Sequence, residues 1–488
     1  MRLSSLLLFV LVLPWCGAHS TSRKPEASAP FVTPVPAAAV PVLPLVRALL
    51  DTATAGSARA ADVRRHLQAG PEVRALYDSA TAPYWTQPAD SLNDLARAAL
   101  ALLARAPEHG LQPAYYQLAG LQALRDSLRQ PASPAHRAGQ QARLEVALSD
   151  AVLRFMWDLH RGRLRPYTAS ATEKAAGRVW QPAAVLRAGL AQGQVVAAML
   201  AGRPTGREYR HLQAALARWL HTLPAQPQPG SAARRRQYEQ AAVNLERWRW
   251  NPLPPDSAYL YLNIPAYELL ALEGDSVTRR HRVIVGAPRT PTPTLSSVVR
   301  HFTLAPDWHV PRSIATREML PRIRRDVGYL ARNNYAVYDA RGHLLDPAAI
   351  NWRQVTAANF RYYIRQSAGC DNALGNVVFR FVNPYSVYLH DTPMRQYFAR
   401  PDRALSHGCM RLAEPLQLAA YLLRRGGQPV RLPSEEECAR QPRPRQVALR
   451  RPMPLHVRYA TCQAAGDSLQ FLADIYQLDA PLRRALFN

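Results

Sequence analysis

Val377-Val-Phe-Arg-Phe381, Ser386-Val-Tyr-Leu-His390-Asp-Thr-Pro393 and Ser406-His-Gly-Cys-Met-Arg411 form the stretch that decides the fold. The first two runs are β-branched and aromatic, and the turn-like Asn383-Pro384 parts them, so they predict two strands. The third is a glycine-containing turn that holds a cysteine between polar neighbours. A helix is expected over Pro415–Arg425. If His390 and Cys409 end neighbouring strands, a base lies beside a thiol. If the Cys409 turn opens the helix, the positive helix end favours the thiolate. A free thiol is mostly protonated at neutral pH, so such help is what a nucleophilic cysteine requires.

A lone histidine is usually a satisfied surface or core group, and a lone cysteine a small buried apolar residue. Two histidines, a glycine and a cysteine at this spacing, with Arg411 beside them, favour the nucleophile reading. A metal site from His390, His407 and Cys409 is the other sharp reading, but no CxxC or HExxH completes its shell. Arg411 offers a planar fork for a carboxylate, against the alternative of a surface ion pair. Tyr388 lies two residues before His390, on the same strand face, where it can wall a pocket.

These residues resemble the catalytic motif of the YkuD-type L,D-transpeptidases: a histidine, a spacer, then Ser/Thr-His-Gly-Cys. The longer strings Tyr388-Leu-His-Asp-Thr-Pro393, Asn372-Ala-Leu-Gly375, Trp308-His-Val-Pro-Arg-Ser-Ile314 and Asn244-Leu-Glu-Arg-Trp-Arg-Trp250 are similar to those of its large periplasmic, YcbB-like branch. The resemblance implies an α+β chain, with a helical scaffold domain before a mostly β catalytic domain that carries a helical capping insertion. It implies acyl transfer on peptidoglycan stem peptides, with Cys409 as nucleophile and His390 as base. The N–H groups of Gly408 and Cys409, helped by His407, receive the oxyanion, and the main chain of Asp391 orients His390. Arg411, Tyr388, Ser406 and Trp308 are the expected substrate contacts; no metal or other cofactor is implied, and carbapenem-type inhibitors are expected to acylate Cys409. A hydrolase that gives the same thioester to water, an L,D-carboxypeptidase among them, shares every motif. A silent wall-binding protein is disfavoured by the intact Cys409 and His390. Two departures stand out. A peptidoglycan-binding module is replaced by the Pro-rich loop Leu223–Ala233, and Ala368-Gly-Cys-Asp371 stands where relatives show Pro-Gly.

The chain has 488 residues, enough for two or three domains with sizeable cores. Arg2, the apolar run Leu6–Leu13 and Cys16-Gly-Ala18 read as a secretory signal over residues 1–18, cleaved after Ala18. Lipidation of Cys16 is the weaker reading, because Pro14-Trp15 suits it poorly. Export to the periplasm or cell envelope follows from that signal. The net charge of +26 is spread along the chain. No nucleic-acid motif accompanies it and export argues against nucleic acid, whereas peripheral residence on an anionic wall or membrane suits it. Of the five cysteines, Cys409 must stay free to react in an oxidising compartment. Cys438 and Cys462 are open between pairing and free thiols, and Cys370 has no assigned role.

Residues 19–44, rich in Pro and Ala, read as a linker. Residues 45–243 read as the helical scaffold. Leu92, Leu95, Ala96, Ala99, Leu100, Leu102 and Leu103 recur at helical spacing after an N-cap at Ser91 or Asp90. Gly110 ends that helix, and Gly162 ends a second one over Leu144–Leu159. Glu246, Arg247 and Arg249 are expected to form an internal ion pair joining the domains. The catalytic domain is placed at 244–432, with strands Ala258–Ile264 and Arg280–Gly286, and with the capping insertion at 313–375, which begins as a helix over Ile314–Leu330. Residues 433–488 read as a short mixed extension ending in a helix over Leu469–Phe487.

Overall fold

The computed structural model describes residues 40–51, 67–87, 92–165, 179–222, 231–253, 258–369, 372–429, 431–434, 437 and 444–487. The signal reading over 1–18, Cys370 and Cys438 lie outside the described residues. No helix among the described residues is long and apolar enough to cross a membrane.

The architecture is α+β. Helices α1 (Val42–Leu50), α2 (Gly70–Tyr77), α3 (Asp94–Ala104), α4 (Leu118–Ser127), α5 (Pro134–Arg161), α6 (Pro182–Ala191), α7 (Val195–Leu200), α8 (Arg207–His221) and α9 (Ser231–Trp250) make the N-terminal part. The linker therefore stops short of residue 44: Leu45, Val46, Leu49 and Leu50 follow helical spacing, and Pro44 sits in the first turn, where a missing N–H is tolerated. The N-cap of α3 is Asn93, whose side chain accepts from the Ala96 N–H. Helix α5 runs through the centre and is buried on nearly every side, its polar residues included. Glu145 is satisfied there by the N–H groups of Tyr84, Trp85 and Thr86 and by the Tyr77 hydroxyl. Asp150 accepts from the N–H groups of Gln68 and Ala69 at the start of α2. These bonds let carboxylates sit in an apolar bundle.

The strands are β1 (Ala258–Asn263), β2 (Glu268–Glu273), β3 (Ser276–Gly286), β4 (Leu295–Leu304), β5 (Trp308–His309), β6 (Tyr335–Tyr338), β7 (Leu344–Leu345), β8 (Tyr363–Gln366), β9 (Val377–Arg380), β10 (Leu389–His390), β11 (Ala404–Ser406), β12 (Met410–Leu412), β13 (Arg445–Arg458), β14 (Cys462–Ala465) and β15 (Ser468–Phe471). Nine of them form one sheet in the order β11-β3-β12-β10-β9-β4-β13-β1-β2, and β2 pairs back onto β3. The sheet thus closes on itself and removes edges that would otherwise invite pairing. Leu260, Leu262, Val283, Val285, Phe302, Phe379, Leu389 and Leu455 fill its interior. Helix α12 (Pro415–Arg425) adds Leu418, Ala419 and Leu422 to that core.

The tail differs most from the sequence reading. Strand β13 lies in the middle of the sheet, parallel to β1 and antiparallel to β4. Its buried Val447, Leu449, Met453, Leu455 and Val457 keep a period of two, interrupted by a register shift between Ala448 and Met453. Pro452 and Pro454 mask this strand in the sequence, since proline ordinarily argues against a central strand. The terminal helix α13 covers only Asp479–Phe487, because Ser468–Phe471 pairs as β15 with β14.

The insertion after β4 is a separate unit. Short helical turns over Arg312–Met319 lead into α10 (Leu320–Arg325) and α11 (Gly328–Arg332), so the expected helix breaks at the extended Asp326. A small sheet, β5-β8-β6-β7, backs these helices, and Met319, Ile323, Leu330, Val337, Trp352 and Phe360 make its own core. The insertion therefore begins at Trp308 rather than 313.

Helix α9 crosses the 243/244 boundary and ties the two halves together. Leu245 and Trp248 pack with Tyr259, Tyr261 and Cys462. Glu246 and Arg249, both buried, pair at 3.4 Å, and Glu246 also accepts from the Leu164 N–H and the Trp250 indole. Gly162 is required where this carboxylate approaches, since its φ is 85° and a Cβ would lie 2.5 Å from Glu246 Oε1. Arg247 turns instead to Asp479 of α13, at 2.6 Å.

Candidate active site

Strands β10 and β12 are parallel, with Leu389 opposite Met410 and His390 opposite Arg411. Cys409 immediately precedes β12, so the same register sets it opposite Tyr388. Side chains alternate along a strand, so Leu389 and Met410 face the apolar core while Tyr388, His390, Cys409 and Arg411 share the other face. With strands about 4.8 Å apart and a rise of roughly 3.3 Å per residue, the Cα atoms of His390 and Cys409 are roughly 8 Å apart on the diagonal. Their side chains project to the same side of the sheet across that gap.

Cys409 does not open α12. The strand Met410–Leu412 and Glu414, in a left-handed conformation at φ 54°, intervene. The helix end therefore does not supply the field expected from the sequence. Burial pushes the Cys409 thiol up; hydrogen bonds from the N–H and hydroxyl of Tyr388, and the charges of Arg411 and Arg380, pull it the other way. Burial also holds His390 down at about 3, with Arg411 and Arg380 adding to the effect. The resting pair is a neutral thiol beside a neutral imidazole.

His390 is 5% exposed, and its Nδ1 lies 2.5 Å from the Asp391 carbonyl oxygen. A carbonyl can only accept, so Nδ1 carries the proton and Nε2 is left as an acceptor. The Asp391 carboxylate accepts from the Asn376 N–H at 2.9 Å. At Gly375, with φ 60°, a Cβ would sit 2.5 Å from that side chain. The Asn372-Ala-Leu-Gly375 string thus serves to seat the residue that orients His390.

Ser406 is buried, and its hydroxyl works inside the loop: it donates to the Cys409 carbonyl at 2.5 Å and accepts from the Gly408 N–H at 3.1 Å. Gly408 has φ 108°, a conformation open to glycine, and its carbonyl accepts from Thr292 Oγ1 at 2.9 Å. Thr290 Oγ1 donates to the Ser406 carbonyl at 2.9 Å. Ser406 thus uses its hydroxyl to shape the loop. His407 points elsewhere than expected: its Nε2 lies 2.6 Å from Glu318 Oε1 of the insertion, with both side chains about half exposed. No three His, Cys, Asp or Glu side chains among the described residues come together as a metal shell.

Trp308 opens the insertion's sheet, and its indole opposes the burial that pushes the Tyr388 hydroxyl up. Tyr388 stands edge-on to His390 at 5.5 Å, and Arg380 lies over its ring at 5.0 Å. Arg380 and Glu318 were not legible as site residues. Arg380 sits on β9 beside β10, and Glu318 reaches the site only through the packing of the insertion.

Two family models match the chain: residues 257–432 match the L,D-transpeptidase catalytic domain, YkuD, and residues 71–216 match a scaffold domain. The C-terminal half contains an L,D-transpeptidase catalytic domain of the YkuD family. The sheet of this YkuD domain also takes in β13, beyond the matched residues. A Haemophilus influenzae protein described as "Putative L,D-transpeptidase" is 32% identical over 250 residues, 51% of this chain and 50% of that protein. The chain thus spans about half the length of this curated relative. The crystal structure of Mycobacterium tuberculosis L,D-transpeptidase 1 aligns over 42% of this chain and 62% of that one, with 15% identity and a TM-score of 0.17, too slight a likeness to bear on the fold.

Proposed function

We propose that the chain is an exported peptidoglycan L,D-transpeptidase that cross-links stem peptides through a Cys409 thioester. The observation that carries this reading is the shared sheet face of Tyr388, His390, Cys409 and Arg411, with His390 Nε2 left free to take a proton. In the first step His390 takes the thiol proton as Sγ attacks the carbonyl before a terminal D-residue. The C–N bond then breaks, the leaving amine takes the proton from His390, and the acyl group stays on sulfur. In the second step His390 deprotonates an amine of another stem, which attacks the thioester and releases the thiol. The Cys409 N–H would receive the oxyanion, joined by the Gly408 N–H once the Ser406 hydroxyl rotates away. One such donor is worth about 3 kcal/mol. Arg411 would hold a substrate carboxylate.

His390 and Cys409 start neutral, so the proton has to move as the carbon–sulfur bond forms. Tyr388 then stabilises the sulfur as its charge develops, which is general-base catalysis with a hydrogen-bonded nucleophile. The test is product analysis of a tetrapeptide stem fragment incubated with the protein and a D-amino acid acceptor, with intact mass used to trap the acyl-enzyme. Cys409-dependent exchange of the terminal residue establishes transfer. A shortened stem without exchange makes the protein a hydrolase, and activity retained by Cys409→Ala overturns the reading.

A further inference from the structure

The Asn244–Trp250 string of α9 is only partly accounted for by the domain junction. Leu245, Glu246 and Arg249 turn inward to that junction. Another part of the helix surface lines a cavity of about 460 Å³ bounded by the start of β4, the end of β13 and α13. That volume is in the range of small-molecule sites. Trp250, Tyr459, Leu478 and Leu482 give it apolar walls, and Arg247 and Arg458 give it charge.

The charges do not balance. Arg247 engages Asp479 through Nη1, while its Nη2 has no hydrogen-bond partner. Asp479 is already shared with the Thr461 hydroxyl, at 2.7 Å. Arg458 donates to neutral acceptors only, the carbonyls of Leu295 and Val457 and the Ser296 hydroxyl, and its Nε has no partner. Arg458 has no ion pair among the described residues; burial lowers its pKa, with Tyr261 and Glu208 acting the other way. Two guanidinium groups thus face one carboxylate beside an aromatic-walled space. A half-buried charge without a counter-ion is unfavourable until an anion supplies one.

We propose that this cavity binds a ring-bearing monocarboxylate of acidic-sugar size, its carboxylate between Arg458 and Arg247 and its ring against Trp250 and Tyr459. The site is separate from Cys409 and does not depend on the catalytic reading.

The probe is N-acetylmuramic acid, with neutral N-acetylglucosamine as its counterpart, titrated by calorimetry and tryptophan fluorescence into the full chain carrying Cys409→Ala. Saturable binding of the acid, at least about tenfold tighter than the neutral sugar, is expected from a charge-assisted contact. Arg458→Gln should remove that preference. Leu478→Glu, at an exposed position on the cavity wall, should weaken the acid and spare the neutral sugar, and it carries the test if Arg458→Gln does not fold. Absence of saturable acid binding at millimolar concentrations overturns the proposal. So does equal binding of the two sugars, or unchanged acid binding in Leu478→Glu.

Discussion

Tyr388→Phe separates the chemistry of the thiol from its packing. The ring sits against His390 and under Arg380, and phenylalanine keeps both contacts. What is lost is the hydroxyl, which pulls the Cys409 thiol down against the burial that raises it. A hydrogen bond to a charged group contributes about 1.5–3 kcal/mol. At about 1.36 kcal/mol per pKa unit, the Cys409 thiol should therefore rise by about one to two units. The hydroxyl bond to a neutral thiol is weak, so nearly all of this falls on the thiolate. Below the thiol pKa the alkylation rate follows the thiolate fraction, so reaction with iodoacetamide at neutral pH should slow by about 10- to 100-fold. Well above that pKa the two proteins should react within a few-fold of one another. The assay is a time course of Cys409 modification by peptide mass spectrometry, from neutral to strongly alkaline pH. Buried Cys462 is held up at about 12 and should lag. Coincident pH profiles would refute the hydrogen bond's role, and an equal loss at every pH would assign the effect to access instead.

Acidification offers a second check. His390 is held at about 3 in the folded protein against about 6.5 unfolded, so the unfolded chain binds the extra proton between those values and stability falls as pH drops through that window. Between neutral pH and pH ~4 the loss from this one group is roughly 3 kcal/mol; urea unfolding should show His390→Gln losing correspondingly less than the parent. A double-mutant cycle on Glu318→Gln and His407→Asn should give a coupling of about 0.2–1 kcal/mol, the range for exposed pairs; coupling of zero would mean that the contact does not hold the insertion against the loop. Gly375→Ala should destabilise by about 1–3 kcal/mol through the clash with Asp391. It should also slow Cys409 acylation more than a surface Gly342→Ala does, and equal acylation rates would detach Asp391 from the orientation of His390.

What the sequence made legible was local. The run around Val377, the glycine stop at Gly162 and the helix at Pro415 declare themselves within a few residues, whereas the strand read over Ser386–His390 shrinks to Leu389–His390, and α3 ends at Ala104, with Gly110 closing the short 3-10 turn after it. The histidine–cysteine pair was readable because its motif is compact, and so was the seat of His390, which is bonded to its own neighbour Asp391. What stayed hidden depends on distant pairing. Strand β13 joins β1 and β4 from nearly two hundred and from about one hundred and fifty residues away, as Leu455 meets Leu260 and Ser297, and its prolines disguise it. The electrostatics were misread for a similar reason. A short strand between Cys409 and α12 replaces the helix end with two arginines, and only the register of β9, β10 and β12 brings both to the thiol.

The same non-local packing gives the insertion two holds on the site. Trp308, in its first strand, acts on the hydroxyl of the tyrosine that favours the thiolate, and Glu318, in its first helical turns, bonds the histidine two residues before that thiol. A displacement of the insertion cannot leave both contacts intact. Loss of the Trp308 contact changes the surroundings of the Tyr388 hydroxyl, and loss of the Glu318 contact removes the insertion's ion pair to the Ser406–Cys409 loop, leaving it to Thr290, Thr292 and the Ala287 N–H. Position of the insertion and acidity of Cys409 are therefore expected to change together. Trp308→Phe should shift the alkylation profile of Cys409 although it does not touch the sulfur, and an unshifted profile would separate the two.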